Sequence, residues 1–243
     1  MDYFDCNAMI GALGSGPQGV SLSVAGLLEE MERYGIKQAL VTSTAALEYN
    51  ARAGNRALAR EIDAHANLFP LYALTPDPSA LEEAAALLPS RPFAALLAAD
   101  REHHNFSLRE WCSGPLLAAL EQRNTPVFLR PALVGWEEVA AVLEAHSNLP
   151  VVVTHTGYRA DRYIYPLASR YPRLMVETSM YVGHRQLEEF ARTFGAARLL
   201  FGTNLPYYTP GAALAVLAYA PLSDAERARV AGGNLRLLFE GQA

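Results

Sequence analysis

Residues 149–157 read LPVVVTHTG, and residues 198–204 read RLLFGTN. Each is a short, nearly continuous apolar run that ends abruptly in polar residues, Thr154-His155 in the first and Thr203-Asn204 in the second. A strand exposed on one face alternates apolar and polar residues. A strand covered on both faces reads instead as an unbroken apolar run. Both stretches are of the second kind, which points to a parallel sheet covered by helices.

Working outward, the same build recurs along the chain. The runs are Tyr3–Asn7, Gln38–Thr42, Phe69–Leu74, Phe93–Asp100, Pro126–Arg130, Pro150–His155, Leu174–Ser179 and Arg198–Asn204. The Ala-rich stretch at 93–99 has the lowest strand propensity of the set. Stretches of helical length lie between them. Val24–Tyr34 is stopped by Gly35. Leu47–Ala66 follows, then Leu81–Leu88, where Ser79 and Glu82 have the spacing of a capping box. Ser107–Gln122, Trp136–His146, Asp161–Tyr171 and Arg185–Phe194 come next. Ser223–Phe239 carries a second capping-box pair, Ser223 with Glu226, and Gly232-Gly233 is expected to break it in two.

Strand–helix units of roughly 30 residues repeated along the chain predict an α/β fold of the (β/α)8 TIM-barrel type, compact and single-domain over residues 1–243. The rival is an open doubly wound sheet, which carries a Gly-rich phosphate loop after its first strand. Gly11, Gly14, Gly16 and Gly19 follow Ile10, but not at GxGxxG spacing, and no lysine accompanies them as in a P-loop. They are expected to form a flexible loop.

Lys and Arg total 20 against 25 Asp and Glu, a net charge of −5. That balance argues against a nucleic-acid partner, which needs a cationic footprint. Cys6 and Cys112 are too few for a disulfide framework and are expected to be reduced, buried thiols. The N-terminus has no basic-then-apolar leader, and the longest apolar run, Ala212 to Ala220, is far short of a membrane span. The expectation is a cytoplasmic protein with a small-molecule substrate or ligand and no membrane partner. Exposed aromatic loops would permit a homodimer.

In such a barrel the active site forms where strands deliver their C-terminal residues. Those positions hold Asp5-Cys6-Asn7, Asp100, Arg130, His155, Glu177 with Ser179, and Asn204. Packing alone would not choose polar residues there. The last four strands and the first are neighbours around a closed barrel, so Arg130, His155, Glu177, Asn204 and Asn7 should line one mouth. A zinc site wants about four His, Cys, Asp or Glu ligands. Of the histidines at 65, 103, 104, 146, 155 and 184, only His155 falls on a strand end. No metal and no cofactor are expected.

At this point the chain resembles the amidohydrolase superfamily, in its amidohydrolase-related (amidohydrolase 2) branch, over nearly its whole length. The resemblance rests on FDCNAMIG at 4–11, MERYGIKQALV at 31–41, PVFLRP at 126–131, VVVTHTG at 151–157, LMVETS at 174–179, RLLFGTNLP at 198–206 and GGNLRLLF at 232–239. It implies a (β/α)8 barrel and metal-dependent hydrolysis or decarboxylation. It also implies an Asp-x-His-x-His pattern after the first strand, where this chain has Asn7 and Met9. Arg130 stands where the resemblance implies a histidine, and Asn204 where it implies an aspartate. The histidine of the sixth strand is kept as His155. Asparagine and thioether are weak zinc ligands, and arginine is a permanent cation.

Each candidate has a functional and a structural role open to it. Arg130 suits a carboxylate, phosphate or oxyanion, or else an internal ion pair with Asp100 or Glu177. His155, with an ordinary pKa of ~6.5, suits acid–base work or a structural bond to Thr203 or Glu177. Glu177 is either a base or the counter-charge of Arg130. Asn7 and Asn204 either bind a polar substrate or bond each other. Tyr158 and Arg159 descend on the pocket or cap its rim, and Tyr207 with Tyr208 stack on a substrate or pack under a lid. His103, His104 and Trp111 are candidates for a specificity wall. Asp5 is expected to be structural. The functional expectation is a metal-independent hydrolase or lyase for a small polar or anionic substrate, with His155 as acid/base, Arg130 as anion clamp and Glu177 assisting. The alternatives are a non-catalytic ligand-binding or interaction protein, and a remodelled metal-dependent hydrolase.

Overall fold

The structure is a computed structural model that describes residues 1–12, 20–77, 79–100 and 103–242. Its strands are β1 (Tyr3–Ala12), β2 (Ser21–Leu22), β3 (Ile36–Ser43), β4 (Leu68–Ala73), β5 (Ala94–Leu96), β6 (Val127–Leu129), β7 (Val151–Val153), β8 (Leu174–Glu177) and β9 (Leu199–Leu200). They form one sheet in the order β2-β1-β3-β4-β5-β6-β7-β8-β9. Every ladder from β1·β3 to β8·β9 is parallel, and β2 is a short antiparallel addition to β1. The two ends of the parallel sheet meet: Cys6 N–H donates to the Phe201 carbonyl and Met9 N–H to the Leu205 carbonyl, both at 2.9 Å. The (β/α)8 TIM-barrel expectation holds. Gly14, Gly16 and Gly19 lie outside the described residues, and Gly11 is the penultimate residue of β1.

The unbroken apolar strands divide their side chains between two cores. Val151 and Val153 of β7 pack outward under the helices with Val127, Leu129 and Val176. Val152 points inward with Phe128, Leu40, Leu71, Leu96 and Leu200. The C-terminal helix Asn234–Glu240 adds Leu235, Leu238 and Phe239 to this inner core, and the Phe239 ring meets those of Phe4 and Phe69 near the strand starts. That helix plugs the N-terminal end of the barrel and leaves its opposite end open.

Several boundaries differ from expectation. β6, β7 and β9 stop before their polar ends, because Arg130, His155 and Asn204 turn out of the ladder, whereas β8 keeps Glu177 in it, paired with Leu200. The expected helix 47–66 is two helices, Thr44–Glu48 and Ala51–Ile62, since the Asn50 side chain caps the second by accepting from Ala53 N–H at 2.9 Å. The Ser79–Glu82 capping box does not form. Ser79 has helical backbone angles, and its hydroxyl bonds Glu83 and Asp77 instead. The Ser223–Glu226 box does form. Gly232-Gly233 does not break the C-terminal segment but lies in a π-helical turn, Arg229–Gly233. There a Cβ on Gly232 would come within 2.5 Å of the Asp2 carbonyl. The helix at Pro210–Tyr219 is apolar on every side, so no helical period marks it in the sequence. Both cysteines are free thiols, Cys6 buried and Cys112 half-buried. Among the described residues no helix is long and apolar enough to cross a membrane.

Candidate active-site pocket

The open end of the barrel rests on a buried polar floor built by the stretch FGTN at 201–204. The Asp5 carboxylate accepts Asn7 N–H and Thr203 N–H, each at 2.9 Å, and the Thr203 hydroxyl. Glu177 accepts Asn7 Nδ2 at 3.2 Å, the Ser179 hydroxyl at 2.9 Å and the Ser179 N–H. Gly202 has no side chain because Glu177 occupies that space: a Cβ there would stand 2.3 Å from Glu177 Oε1. Burial pushes both carboxyls up. Asp5 is raised despite its three hydrogen bonds. Glu177, buried with the Asp5 charge nearby, is pushed up to about 7. The same burial and the two carboxylates push the Cys6 thiol well up, so it is inert.

Above the floor, His155 and Asn204 form a linked pair. Both have left-handed backbones, φ 54° and 57°, conformations uncommon for side chains other than Asn, Asp and His. Each chain turns sharply at its strand end and aims its side chain across the mouth. His155 Nε2 lies 2.9 Å from Asn204 Oδ1, and Nδ1 lies 3.1 Å from the Thr154 hydroxyl. With Oδ1 as acceptor, Nε2 carries the proton and the ring is neutral. Burial, reinforced by the Arg130 charge, pushes the His155 pKa down to about 3. The near-neutral titration expected of His155 is therefore corrected: in the free site it does not ionise near pH 7.

Arg130 follows β6 as the residue before the short helix Pro131–Val134. Burial lowers its pKa, opposed by Tyr207, Asp100 and Glu177. It makes no salt bridge among the described residues, so the expected ion pair with Asp100 or Glu177 is absent. Its Nε is buried without a hydrogen-bond partner. Asp100 Oδ1 instead lies 2.7 Å from His103 Nδ1.

These groups surround a cavity of about 300 Å³. Arg130, His155, Asn204, Asp100 and Tyr207, all expected from the sequence, line it together. Four expected site residues do not. Glu177 and Asn7 are 0% and 2% exposed, bonded to each other in the floor beneath the cavity, because the register of β1 shifts between Asp5 and Ala8. Tyr158 and Arg159 face solvent, where the guanidinium covers the Tyr158 ring at 5.2 Å, after the chain turns at Gly157 with φ 71°. Of the expected wall, His103 lines the cavity, His104 is bonded to the Ala46 carbonyl at 2.9 Å, and Trp111 is exposed. Leu47, Leu133 and Met180, which carried no sequence signal as a site, join Met9 in an apolar wall, with Glu48 and Tyr208 at its edge.

The donor set does not fit the divalent metal that the resemblance implies. Asn7 is spent on Glu177, the Asn204 oxygen is spent on His155, Met9 offers a thioether, and Arg130 puts a fixed cation into the space. Among the described residues no three His, Cys, Asp or Glu side chains are gathered as a metal-ligand group.

The sequence profile of the amidohydrolase family, Amidohydro_2, matches residues 12–240. No curated protein matches the chain in sequence. Its fold is similar to that of an uncharacterized TIM-barrel protein from Bordetella bronchiseptica, at 20% identity and TM-score 0.78, covering 99% of both chains. It is similar to 5-carboxyvanillate decarboxylase from Sphingomonas paucimobilis, at 15% identity and TM-score 0.78, covering 98% of this chain and 99% of that one. A structure described as a probable 2-pyrone-4,6-dicarboxylic acid hydrolase from Acinetobacter baumannii, with citric acid bound, gives 13% identity and TM-score 0.76, covering 99% and 100%.

Proposed function

The chain belongs to the amidohydrolase family, and from that premise we propose that it is a hydrolase of a small carboxylate-bearing substrate that works without the family's usual divalent metal. One observation carries the reading: the Arg130 guanidinium faces the cavity, buried at Nε and paired with no carboxylate among the described residues. Burying a cation without a partner costs several kcal/mol, roughly, and a bound carboxylate would offset that cost with bidentate, charge-assisted bonds. The cavity is of a size for a small molecule. Its apolar wall of Met9, Leu47, Leu133 and Met180 suits a compact hydrocarbon or ring body. The neighbours' names support the class, since 5-carboxyvanillate and 2-pyrone-4,6-dicarboxylic acid both carry carboxylates.

In this reading Arg130 orients the substrate by its carboxylate. Neutral His155, locked by Asn204 and Thr154, shapes the pocket floor around it. The bound anion screens the Arg130 charge from His155 and so raises the imidazole pKa from about 3. A second reading, ligand binding without turnover, is favoured by the engagement of both His155 nitrogens in hydrogen bonds. Thermal shift and calorimetry with succinate and benzoate test the clamp. Wild type should be stabilised, and Arg130→Gln should lose at least tenfold in affinity. Equal binding by wild type and Arg130→Gln would refute it. Release of nitrophenol from nitrophenyl hemisuccinate separates a hydrolase from a binding protein.

A further inference from the structure

The cavity holds a second polar pair that the anion clamp does not use. His103 Nδ1 lies 2.7 Å from Asp100 Oδ1, and the His103 backbone N–H donates to the same oxygen at 3.1 Å. An ionised carboxylate only accepts, so Nδ1 carries the proton and Nε2 presents a lone pair. That nitrogen has no hydrogen-bond partner among the described residues. The Asp100 side chain is 6% exposed and that of His103 is 22% exposed, so the carboxylate is held in the wall while the ring edge reaches the open space. Both line the same cavity as Arg130. The other two imidazoles nearby are engaged. His155 has a partner on each nitrogen, and His104 is bonded to the Ala46 carbonyl.

We propose that His103 is the catalytic base and acid of this pocket, and that Asp100 positions it and stabilises its charged form. The inference rests on the carboxylate-hydrolase reading. As the oxygen of a cavity water bonds to the substrate's acyl carbon, His103 Nε2 takes one proton from that water. The imidazolium so formed is held by the Asp100 carboxylate through Nδ1–H. When the bond from the acyl carbon to the leaving oxygen breaks, Nε2–H delivers its proton to that oxygen. One water is consumed, an acid and an alcohol are released, and His103 returns to its neutral form. Among the described residues, the charged and titratable groups facing the ring across the cavity are Glu48, Asp100, Arg130, His155, Tyr207 and Tyr208, and of these Asp100 is bonded to it.

The test uses the full chain with succinate as binding probe and nitrophenyl hemisuccinate as turnover probe. His103→Gln should keep the succinate Kd within about threefold while kcat falls at least ~100-fold, the usual worth of a general base. Asp100→Asn should lower kcat at least ~10-fold while KM and the succinate Kd stay within about threefold, a split that a merely structural loss would not produce. Turnover by His103→Gln within threefold of wild type overturns the proposal and leaves the clamp standing. So does Arg130-dependent succinate binding with no nitrophenol release by wild type. Turnover that needs His103 but is unchanged in Arg130→Gln upholds the dyad and overturns the clamp. Neither binding nor turnover by wild type overturns both.

Discussion

Replacing Glu177 by Gln should change how stability depends on pH, and the size of the change follows from the floor of the pocket. Glu177 is fully buried, and its pKa is pushed from the ordinary 4.5 to about 7. Its folded-state value therefore lies above its unfolded one. The stability this group contributes is fully present below about pH 4.5 and is lost as pH rises through about 7. At ~1.36 kcal/mol per unit of pKa difference, the whole effect is ~3 kcal/mol. Between pH 5 and pH 8 about 2–3 kcal/mol of it develops, since at pH 5 the unfolded chain is already partly ionised. Glutamine keeps an acceptor for Ser179 N–H but cannot ionise. Removing the charge also relieves Asp5, whose carboxyl lies close by, and that acts in the same direction.

The quantity to follow is the difference in unfolding free energy between Glu177→Gln and wild type, from urea melts at pH 5, 6, 7 and 8. Any pH-independent loss from imperfect hydrogen bonds at the amide cancels out of the slope. The difference should move in favour of the variant by about 2–3 kcal/mol across this range. A movement below ~0.5 kcal/mol would mean that Glu177 is ionised at little cost, and would refute the account of the floor as a strained, desolvated carboxylate.

Three further outcomes are expected. Gly202→Ala places a Cβ 2.3 Å from Glu177 Oε1 and should cost ~1–3 kcal/mol in urea melts, a loss that Glu177→Ala partly repairs in the double variant. Asn204→Asp puts a carboxylate against His155 Nε2, and titration by nuclear magnetic resonance should show the imidazole pKa rising by at least about one unit from about 3. Dialysis of purified protein against a chelator should leave Tm within ~1 °C, and a drop of several degrees with loss of stoichiometric zinc, manganese or iron would restore metal-assisted hydrolysis.

The fold was legible because a barrel strand has no solvent face. VVV at 151–153 and LL at 199–200 announce themselves by composition alone, and the helix over Val24–Tyr34 is bounded by a side-chain cap at Ser23 and a left-handed Gly35. The same feature misplaced the strand ends. Polar residues directly after an apolar run look continuous with it in sequence, but Arg130, His155 and Asn204 leave the ladder as the backbone turns. The Pro210–Tyr219 helix is hidden for the opposite reason, since no polar stripe marks its period.

Within the site, sequence separates polar strand ends from the core but not the floor from the wall. Asn7 and Glu177 satisfy the same criterion as His155 and Asn204, yet a register shift in β1 and the missing side chain at Gly202 draw them under the cavity. His103 lacks a strand-end position altogether. Its only signal is the Asp-x-x-His spacing from Asp100, which lets one carboxylate oxygen bond both the ring and the backbone N–H of the third residue on. What distinguishes a working pocket from a sealed remnant is the state of its polar atoms. Where the resemblance implied metal ligands, Asn7 bonds Glu177 and Asn204 bonds His155, so that part of the site has closed on itself. Arg130 has not. A guanidinium placed only for packing would find an internal partner, as Arg198 does with the carbonyls of Leu174, Ala168 and Tyr171. Arg130 Nε is buried without a partner among the described residues, a cost to the empty protein that a bound anion offsets in the proposed reading.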